Sequence, residues 1–157
     1  MERKGVLSMY TYSIFSIKSK IAKHYFYKTG ILYRFLNEFK ERPNFKYIQL
    51  QYNYVIEPLN LDDIANYIQE KDARLIIDKR NTYLKIYWEG KTMTIYEDDR
   101  HLEVTCSSIE DVEEFFFPAL RKSPHFYFVI SNSLKDYGWL SVKNNRMLDN
   151  PILYSFH

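Results

Sequence analysis

The sequence is poor in glycine and cysteine, and it has no long hydrophobic run. Four glycines among 157 residues are too few for a glycine-rich phosphate-binding loop, and with five prolines they predict no long flexible linker. The single cysteine, Cys106, excludes an internal disulfide and favours a reducing compartment. No signal-peptide pattern opens the chain, and no segment reaches the ~20 apolar residues of a membrane span. These absences predict a cytoplasmic protein that does not enter a membrane.

The sequence also lacks the residue spacings that mark most active sites. The four histidines make no metal-ligand spacing with one another or with the cysteine, so we expect no metal ion. They are His24, His101, His125 and His157. The acidic pairs at 62–63 and 110–111 open predicted helices, where carboxylates favour the helix dipole, and the pair at 98–99 suits a turn. We therefore predict a protein that is not an enzyme and has no cofactor; a site assembled from distant residues is the alternative.

Aromatic and charged residues are abundant in this chain. It contains fifteen Tyr, eleven Phe and two Trp, with 46% hydrophobic and 27% charged residues, which is typical of a globular domain. Tyrosine suits both strand packing and half-buried interface positions. Length and composition predict a single domain over residues 1–157, in which about 1–8 and 143–157 are peripheral or poorly ordered.

Charge is distributed unevenly, although the net charge is only +2. Residues 1–50 hold ten Lys or Arg against three Glu, a net of +7, and the remainder carries a net of −5. A basic first third favours an acidic partner, because complementary charge steers association. A solvated basic face without a partner is the alternative interpretation.

Hydrophobic periodicity predicts a mixed α+β fold with a largely antiparallel sheet and about four helices. The predicted helices span about 17–28, 31–41, 61–70 and 108–121. The predicted strands span about 9–15, 46–57, 73–78, 83–88, 92–97, 101–106 and 126–131, and the last of these is apolar on both faces, as a central strand would be. Pro43 should end the second helix, Asn60 should cap the third, and Pro118 should kink or shorten the fourth. Residues 143–157 are predicted to form a loop and a short apolar tail.

The first predicted helix is apolar over about half of its circumference, more than a core-facing helix needs. Its apolar positions are Ile17, Ile21, Ala22, Tyr25 and Phe26. The width predicts two apolar edges, with Ala22 and Phe26 toward the core. Ile21 and Tyr25, one helical turn apart, would then face a partner. Burial of Ile21 and Tyr25 in the core is the alternative.

The second predicted helix and the strand that follows show more ordinary patterns. The helix has a normal core stripe formed by Ile31, Leu32, Phe35, Leu36 and Phe39. In the predicted strand 46–57, one face carries Ile48, Leu50, Tyr52, Tyr54 and Ile56. Because strand side chains alternate, Gln51 should point to solvent on the opposite face.

Three blocks of residues form a distinctive pattern when their order and spacing are taken together. The first block contains Tyr10, Thr11, Tyr12, Ala22, His24, Tyr25 and Phe26. The second contains Gln51, Tyr54 and Pro58. The third contains Phe115, Phe116, Leu120, Lys122, Ser123, Pro124, Phe126, Asn132, Ser133, Tyr137, Gly138, Trp139 and Leu140. Between about Tyr10 and Val142 the chain thereby resembles the sporulation inhibitor of replication (SirA) family of spore-forming, Bacillus-type bacteria.

This resemblance implies a non-enzymatic cytoplasmic protein that binds the N-terminal domain of the replication initiator DnaA. Such a protein blocks new rounds of chromosome replication when the cell commits to sporulation. The family's contact surface would fall on Ile21, Tyr25 and Gln51, with Ile21 standing where an aromatic residue is expected. Ile17 and His24, on the same predicted helix, complete the expected partner-binding set. The resemblance implies no small-molecule substrate, cofactor or membrane partner.

A nucleic-acid-binding module is the alternative function. The basic N-terminal third could contact phosphates, and its interleaved tyrosines could stack on bases. The near-neutral net charge disfavours direct nucleic-acid binding. A steep fall of affinity with salt concentration would distinguish this alternative from a protein partner.

Overall fold

The computed structural model describes residues 9–140 and 153–154, and the fold is mixed α+β, as predicted. The strands are β1 Tyr10–Ile17, β2 Ile76–Lys79, β3 Tyr83–Trp88, β4 Lys91–Asp98, β5 His101–Cys106, β6 Phe126–Ser131, β7 Asp136–Leu140 and β8 Leu153–Tyr154. The helices are α1 Ser19–Tyr25, α2 Thr29–Glu41, α3 Lys46–Val55, α4 Leu61–Lys71, α5 Ile109–Asp111, a π-helical turn Val112–Phe116, and α6 Phe117–Leu120. The segments predicted to be peripheral, 1–8 and 143–157, lie outside the described residues, except for 153–154.

One antiparallel sheet forms the centre of the molecule, with the strand order β2-β3-β4-β5-β1-β6-β7-β8. β1 pairs with β5 on one side and with β6 on the other. From its second residue onward β6 is buried, because helices cover both faces of the sheet there. The predicted central position of residues 126–131 is therefore confirmed.

Helices cover the two faces of the sheet and form two separate hydrophobic cores. On one face, α4 and the helical segment 109–120 pack on a core that includes Ile14. On the other face, α1, α2 and α3 pack on a core that includes Phe15. Neighbouring residues of one strand point to opposite faces, so β1 contributes to both cores. We call the second group of helices the α1–α3 layer.

Trp139 of β7 fastens the α1–α3 layer to the sheet. Its indole Nε1 donates a hydrogen bond of 3.0 Å to the carbonyl oxygen of Phe26, just after α1. The two rings also stack, with centroids 5.8 Å apart. In the same strand, Tyr137 stacks on Tyr33 of α2 with centroids 4.2 Å apart. β7 therefore fixes the positions of both α1 and α2.

The prediction of a strand at 46–57 is wrong, because Lys46–Val55 forms α3. Its buried residues are Ile48 and Tyr52, which lie four apart on one helical stripe. Residues four apart also lie on the same face of a strand, so this spacing fits both a helix and a strand. The ring of Tyr52 lies parallel to that of Phe39 with centroids 3.6 Å apart, and its hydroxyl donates to the Asp99 carbonyl oxygen at 2.6 Å.

Strand pairing explains why α3 does not join the sheet. Both edges of β1 are already occupied by β5 and β6, so no place beside it is free. Directly after α3, Ile56 forms an isolated bridge with Ile17 of β1. Leu50 and Tyr54, which the strand pattern placed inward, are instead 61% and 62% exposed.

The remaining helices agree with their sequence signals. The side chain of Asn60 caps α4 by accepting from the backbone N–H of Asp62 at 2.8 Å, as predicted. α2 ends two residues before Pro43. The predicted helix at 108–121 is interrupted by the π-helical turn, and Pro118 lies in the first turn of α6, where its missing N–H is not needed.

Candidate functional site

An apolar groove of about 520 Å³ opens between α1, α2 and α3. We call it the helical groove. None of its ten lining residues is charged. They are Ile21, Tyr25, Ile31, Leu32, Phe35, Tyr47, Leu50, Gln51, Tyr54 and Val55. Tyrosine hydroxyls and one side-chain amide supply its polar side-chain groups, so the groove suits contact with another apolar surface.

Helix α3 supplies half of the groove wall through a second apolar stripe. This stripe is Tyr47, Leu50, Gln51 and Tyr54, at the spacing i, i+3, i+4, i+7 of one helix face. Leu50 is 61% exposed, and the two tyrosines are 68% and 62% exposed. A separate stripe of the same helix carries the buried Ile48 and Tyr52. α3 is therefore apolar on two sides, one packed on the core and one open.

Helix α1 forms the second wall. Ile21 and Tyr25 line the groove and are half-buried, whereas Ala22 is fully buried against the core. His24 is exposed beside the groove, and its ring lies edge-on to that of Tyr25 with centroids 4.8 Å apart. The structure thus brings Ile21, Tyr25 and Gln51 together on one surface, with His24 next to it.

The placement of Ile17 in the partner-binding set is wrong. Ile17 ends β1 instead of belonging to α1, and only 1% of its surface is exposed. The helix begins at Ser19 because the alternating pattern of β1 continues through Ile17, which packs in the core of the α1–α3 layer. A side chain buried in this way is not available to a partner.

Helix α2 contributes groove residues that the sequence pattern assigned to the core. Ile31 is 48% exposed, and Phe35 is half-buried at the groove. The core positions of the same helix are Leu32, Leu36 and Phe39, of which Leu32 also reaches the groove. One edge of the predicted stripe of α2 therefore faces the groove and not the sheet.

Main-chain hydrogen bonds join the α1 and α3 walls at one end. The backbone N–H of Lys18 donates to the carbonyl oxygen of Val55 at 2.9 Å. The N–H of Glu57 donates to the carbonyl oxygen of Ser16 at 2.7 Å. These bonds lie where β1 passes into α1 and where α3 ends, so the backbone sets the spacing of the two walls.

The rim of the groove is basic, although its interior is uncharged. Lys18 precedes α1, and its Nζ lies 5.7 Å from the ring centroid of Tyr54. Lys28 follows α1, and its Nζ lies 5.9 Å from the ring centroid of Tyr25. Residues 18–55 contain eight Lys or Arg and two Glu. An acidic partner surface would therefore find complementary charge around this groove.

On the wall itself, a polar contact links two groove residues. The side-chain Nε2 of Gln51 donates to the hydroxyl of Tyr47 at 3.1 Å, across one turn of α3. Both side chains are exposed, so they present hydrogen-bonding groups on an otherwise apolar wall.

A second polar cluster, on the sheet, holds the end of α2 in place. Lys40 Nζ donates to Ser13 Oγ at 2.6 Å and to Asn132 Oδ1 at 3.0 Å. Glu103 Oε2 accepts from Ser13 at 2.7 Å and lies 2.6 Å from His101 Nε2. Burial alone would raise the pKa of Glu103, but the hydrogen bonds with His101 and Ser13 and the charge of Lys40 outweigh it and lower that pKa. These bonds attach α2 to β1 and β5.

The described residues show little that resembles catalytic machinery. Burial raises the pKa of the Cys106 thiol to about 11, so the thiolate that a nucleophile requires is disfavoured. Within residues 9–140 and 153–154, no group of three or more His, Cys, Asp or Glu could hold a metal ion. In the same ranges, no helix is long and apolar enough to cross a membrane.

Comparison with known proteins gives one informative match. The family model described as sporulation inhibitor of replication protein SirA matches residues 10–143, which is most of the chain. The matched range contains α1, α2, α3 and therefore the whole helical groove. No curated protein sequence matches the chain significantly.

Proposed function

We propose that this chain, which belongs to the sporulation inhibitor of replication (SirA) family, inhibits replication by binding the N-terminal domain of the initiator DnaA in its helical groove. The observation that carries this proposal is the second apolar stripe of α3. Leu50 and its two tyrosine neighbours are largely exposed, although the fold gains nothing from leaving them in water. A concave patch of this kind is typical of a protein-binding site.

The groove side chains suit a protein interface. Tyr25, Tyr47 and Tyr54 offer large apolar rings with a polar tip, which is the residue type enriched at binding hot spots. Gln51 adds an uncharged group that can donate and accept hydrogen bonds. Ile21 adds an aliphatic contact next to Tyr25. Nothing in this set requires covalent chemistry.

Inhibition then follows from occlusion. A partner domain seated on the groove has one of its faces covered by α1 and α3. If the initiator uses that face to meet itself or other replication proteins, its assembly is blocked while the complex lasts. The strength of inhibition depends on affinity and protein concentration, without any turnover.

Two groove substitutions test this function against a matched control. Tyr25→Ala and Leu50→Ala should each weaken binding to purified DnaA N-terminal domain by about 2 kcal/mol, which is roughly 30-fold, as truncation of a hot spot does. Asn66→Ala changes an exposed residue of α4, outside the groove, and should leave affinity unchanged. Isothermal titration calorimetry gives the dissociation constants, and circular dichroism checks that all variants remain folded.

Wild-type chain that fails to bind the N-terminal domain would refute the proposed function. If all three variants bind the DnaA domain as tightly as the wild type does, the partner is right and the groove is the wrong surface. The nucleic-acid alternative predicts binding to single- or double-stranded DNA that falls steeply as salt rises. We expect no such binding, because the net charge of the chain is only +2.

A further inference from the structure

The helical groove constrains the backbone conformation of whatever fills it. Its walls are side chains of three helices, so no strand edge is available to pair with an extended peptide. Apart from Gln51 and the tyrosine hydroxyls, the lining side chains offer no hydrogen-bonding group. An extended segment would therefore place backbone N–H and C=O groups against apolar carbon without partners, which is unfavourable.

An α-helix avoids this problem, because it satisfies its own backbone hydrogen bonds. It can present apolar side chains at i, i+3, i+4 and i+7 to the groove. α3, with ten residues, forms a wall about 15 Å long, which suits an occupant of about three turns. The shape and chemistry of the groove therefore favour a helix over an extended peptide.

The basic rim constrains the charge of that helix. Lys18 and Lys28 lie before and after α1, and their ammonium groups lie near the rings of Tyr54 and Tyr25 that line the groove. The seven residues of α1 lie between the two lysines and span about 10 Å, the length of about two turns of a facing helix. Neither lysine forms a salt bridge among the described contacts that would compete for such carboxylates.

We infer that the groove receives an amphipathic α-helix of the partner, with an apolar stripe bordered by Asp or Glu residues about two turns apart. This inference rests on the proposed function only for the identity of the protein that carries the helix. The apolar stripe provides contact area, and the carboxylates provide orientation and selectivity. A second copy of this chain fits less well, because a symmetric pair of grooves would bring two basic rims together.

A peptide selection on the intact chain tests the inference without assuming a partner. A library of random 15-residue segments is selected on the wild-type protein and counter-selected on the Leu50→Asp variant, so that groove-dependent binders are kept. We expect enriched peptides with apolar residues three and four apart and a net negative charge. Their affinities are then measured for wild-type protein, for the double variant K18E/K28E and for the control K122E/K135E.

Charge reversal at the rim should weaken the enriched peptides by about tenfold, since two partly exposed ion pairs become repulsive contacts. K122E/K135E makes the same change in net charge at exposed residues outside the groove and should have little effect. Enriched peptides without helical periodicity, peptides without negative charge, or no groove-dependent enrichment would each overturn the inference. So would concentration-dependent dimers that Leu50→Asp abolishes in analytical ultracentrifugation.

The peptide selection tests the inference and the DnaA titration tests the proposed function, so one can be refuted while the other stands. If acidic amphipathic peptides bind the groove and the DnaA N-terminal domain does not, the partner assignment is wrong and the inference stands. If the DnaA domain binds in a groove-dependent way and K18E/K28E binds it as tightly as the control does, the proposed function stands and the charge requirement is wrong.

Discussion

Helices α3 and α4 have nearly equal lengths, but the exposed surface of α4 is polar and that of α3 is partly apolar. α4 buries one stripe, formed by Leu61, Ile64, Ala65 and Ile68. Its exposed residues are polar or charged, namely Asp62, Asp63, Asn66, Gln69 and Glu70. α3 also buries one stripe, yet it exposes Tyr47, Leu50 and Tyr54 on another. Packing on the sheet accounts for the one apolar stripe of α4, but for only one of the two apolar stripes of α3.

This difference separates residues that maintain the fold from residues that are free to bind. An apolar side chain that stays in water does not stabilise the folded chain by burial. The outer stripe of α3 should therefore be nearly neutral for stability and important for association. The inner stripes of both helices should show the reverse.

The largest expected effect comes from truncating the inner stripe of α3. Tyr52→Ala removes a fully buried ring that lies parallel to Phe39 and a hydroxyl bonded to the Asp99 carbonyl oxygen. We expect the free energy of unfolding to fall by about 3–5 kcal/mol, as for other buried aromatic truncations. Urea denaturation followed by circular dichroism measures this change.

Leu50→Ala is the matched substitution on the outer stripe of α3. It should change the free energy of unfolding by no more than about 0.5 kcal/mol, because the side chain is 61% exposed. Ile68→Ala in α4 should cost about 2–5 kcal/mol, since Ile68 is fully buried. A Leu50→Ala cost near that of Ile68→Ala would show that the outer stripe of α3 stabilises the fold. The proposed difference between α3 and α4 would then be wrong.

A smaller effect should come from the first turn of α4. The Asn60 side chain accepts hydrogen bonds from the N–H groups of Asp62 and Asp63, so Asn60→Ala should lower the free energy of unfolding by about 1 kcal/mol. Phe45 is the N-cap of α3 and makes no such side-chain bond. Phe45→Ala, measured in the same urea experiment, should change stability by less than the loss of this cap. Equal losses would mean that α3 depends on its N-terminal residue as much as α4 does.

The smallest expected effect is the pH-dependent stability contributed by Glu103, whose hydrogen bonds help attach α2 to the sheet. The pKa of Glu103 is lowered in the folded protein, so its contribution to stability is complete above the ordinary value of 4.5. That contribution is lost as the pH falls below 4.5 through the folded-state pKa. Urea midpoints measured across this range should fall less steeply for Glu103→Gln than for wild type. Parallel curves would show that the contacts of Glu103 with Lys40 and His101 contribute nothing that depends on its charge.

Much of the fold could be predicted from local patterns. The alternation in the meander of β3, β4 and β5 and the Asn60 cap are signals that need no distant partner, and both are confirmed. α3 could not be predicted in this way. Its apolar residues recur at every second position, and this pattern contains the spacing of four that a helix also uses. Tertiary contacts decide between the two structures: β1 is paired on both sides, and Tyr52 packs on Phe39 and bonds to Asp99.

The groove was only partly predictable for the same reason. The excess apolar width of α1 pointed to Ile21 and Tyr25, and both line the groove. The sequence pattern does not assign Tyr47, Leu50 and Tyr54 to a binding surface, because it predicts a strand at 46–57. Plotted as a helix, the same residues give an apolar arc of about 200°, wider than the stripe of a core-facing helix, and this excess width is a signal for the second wall. Gln51 was expected on the solvent side and is exposed, but it lies on a helix.

The two main-chain hydrogen bonds between the start of α1 and the end of α3 have a consequence for substitutions in the groove. They use the amides of Lys18 and Glu57 and the carbonyls of Val55 and Ser16, so any side chain except proline at the two donor positions preserves them. One lining side chain can therefore replace another while the gap between the helices keeps its width. Ile21 lines this gap, so a larger or smaller side chain there would change the groove surface and leave the separation of the two helices unchanged.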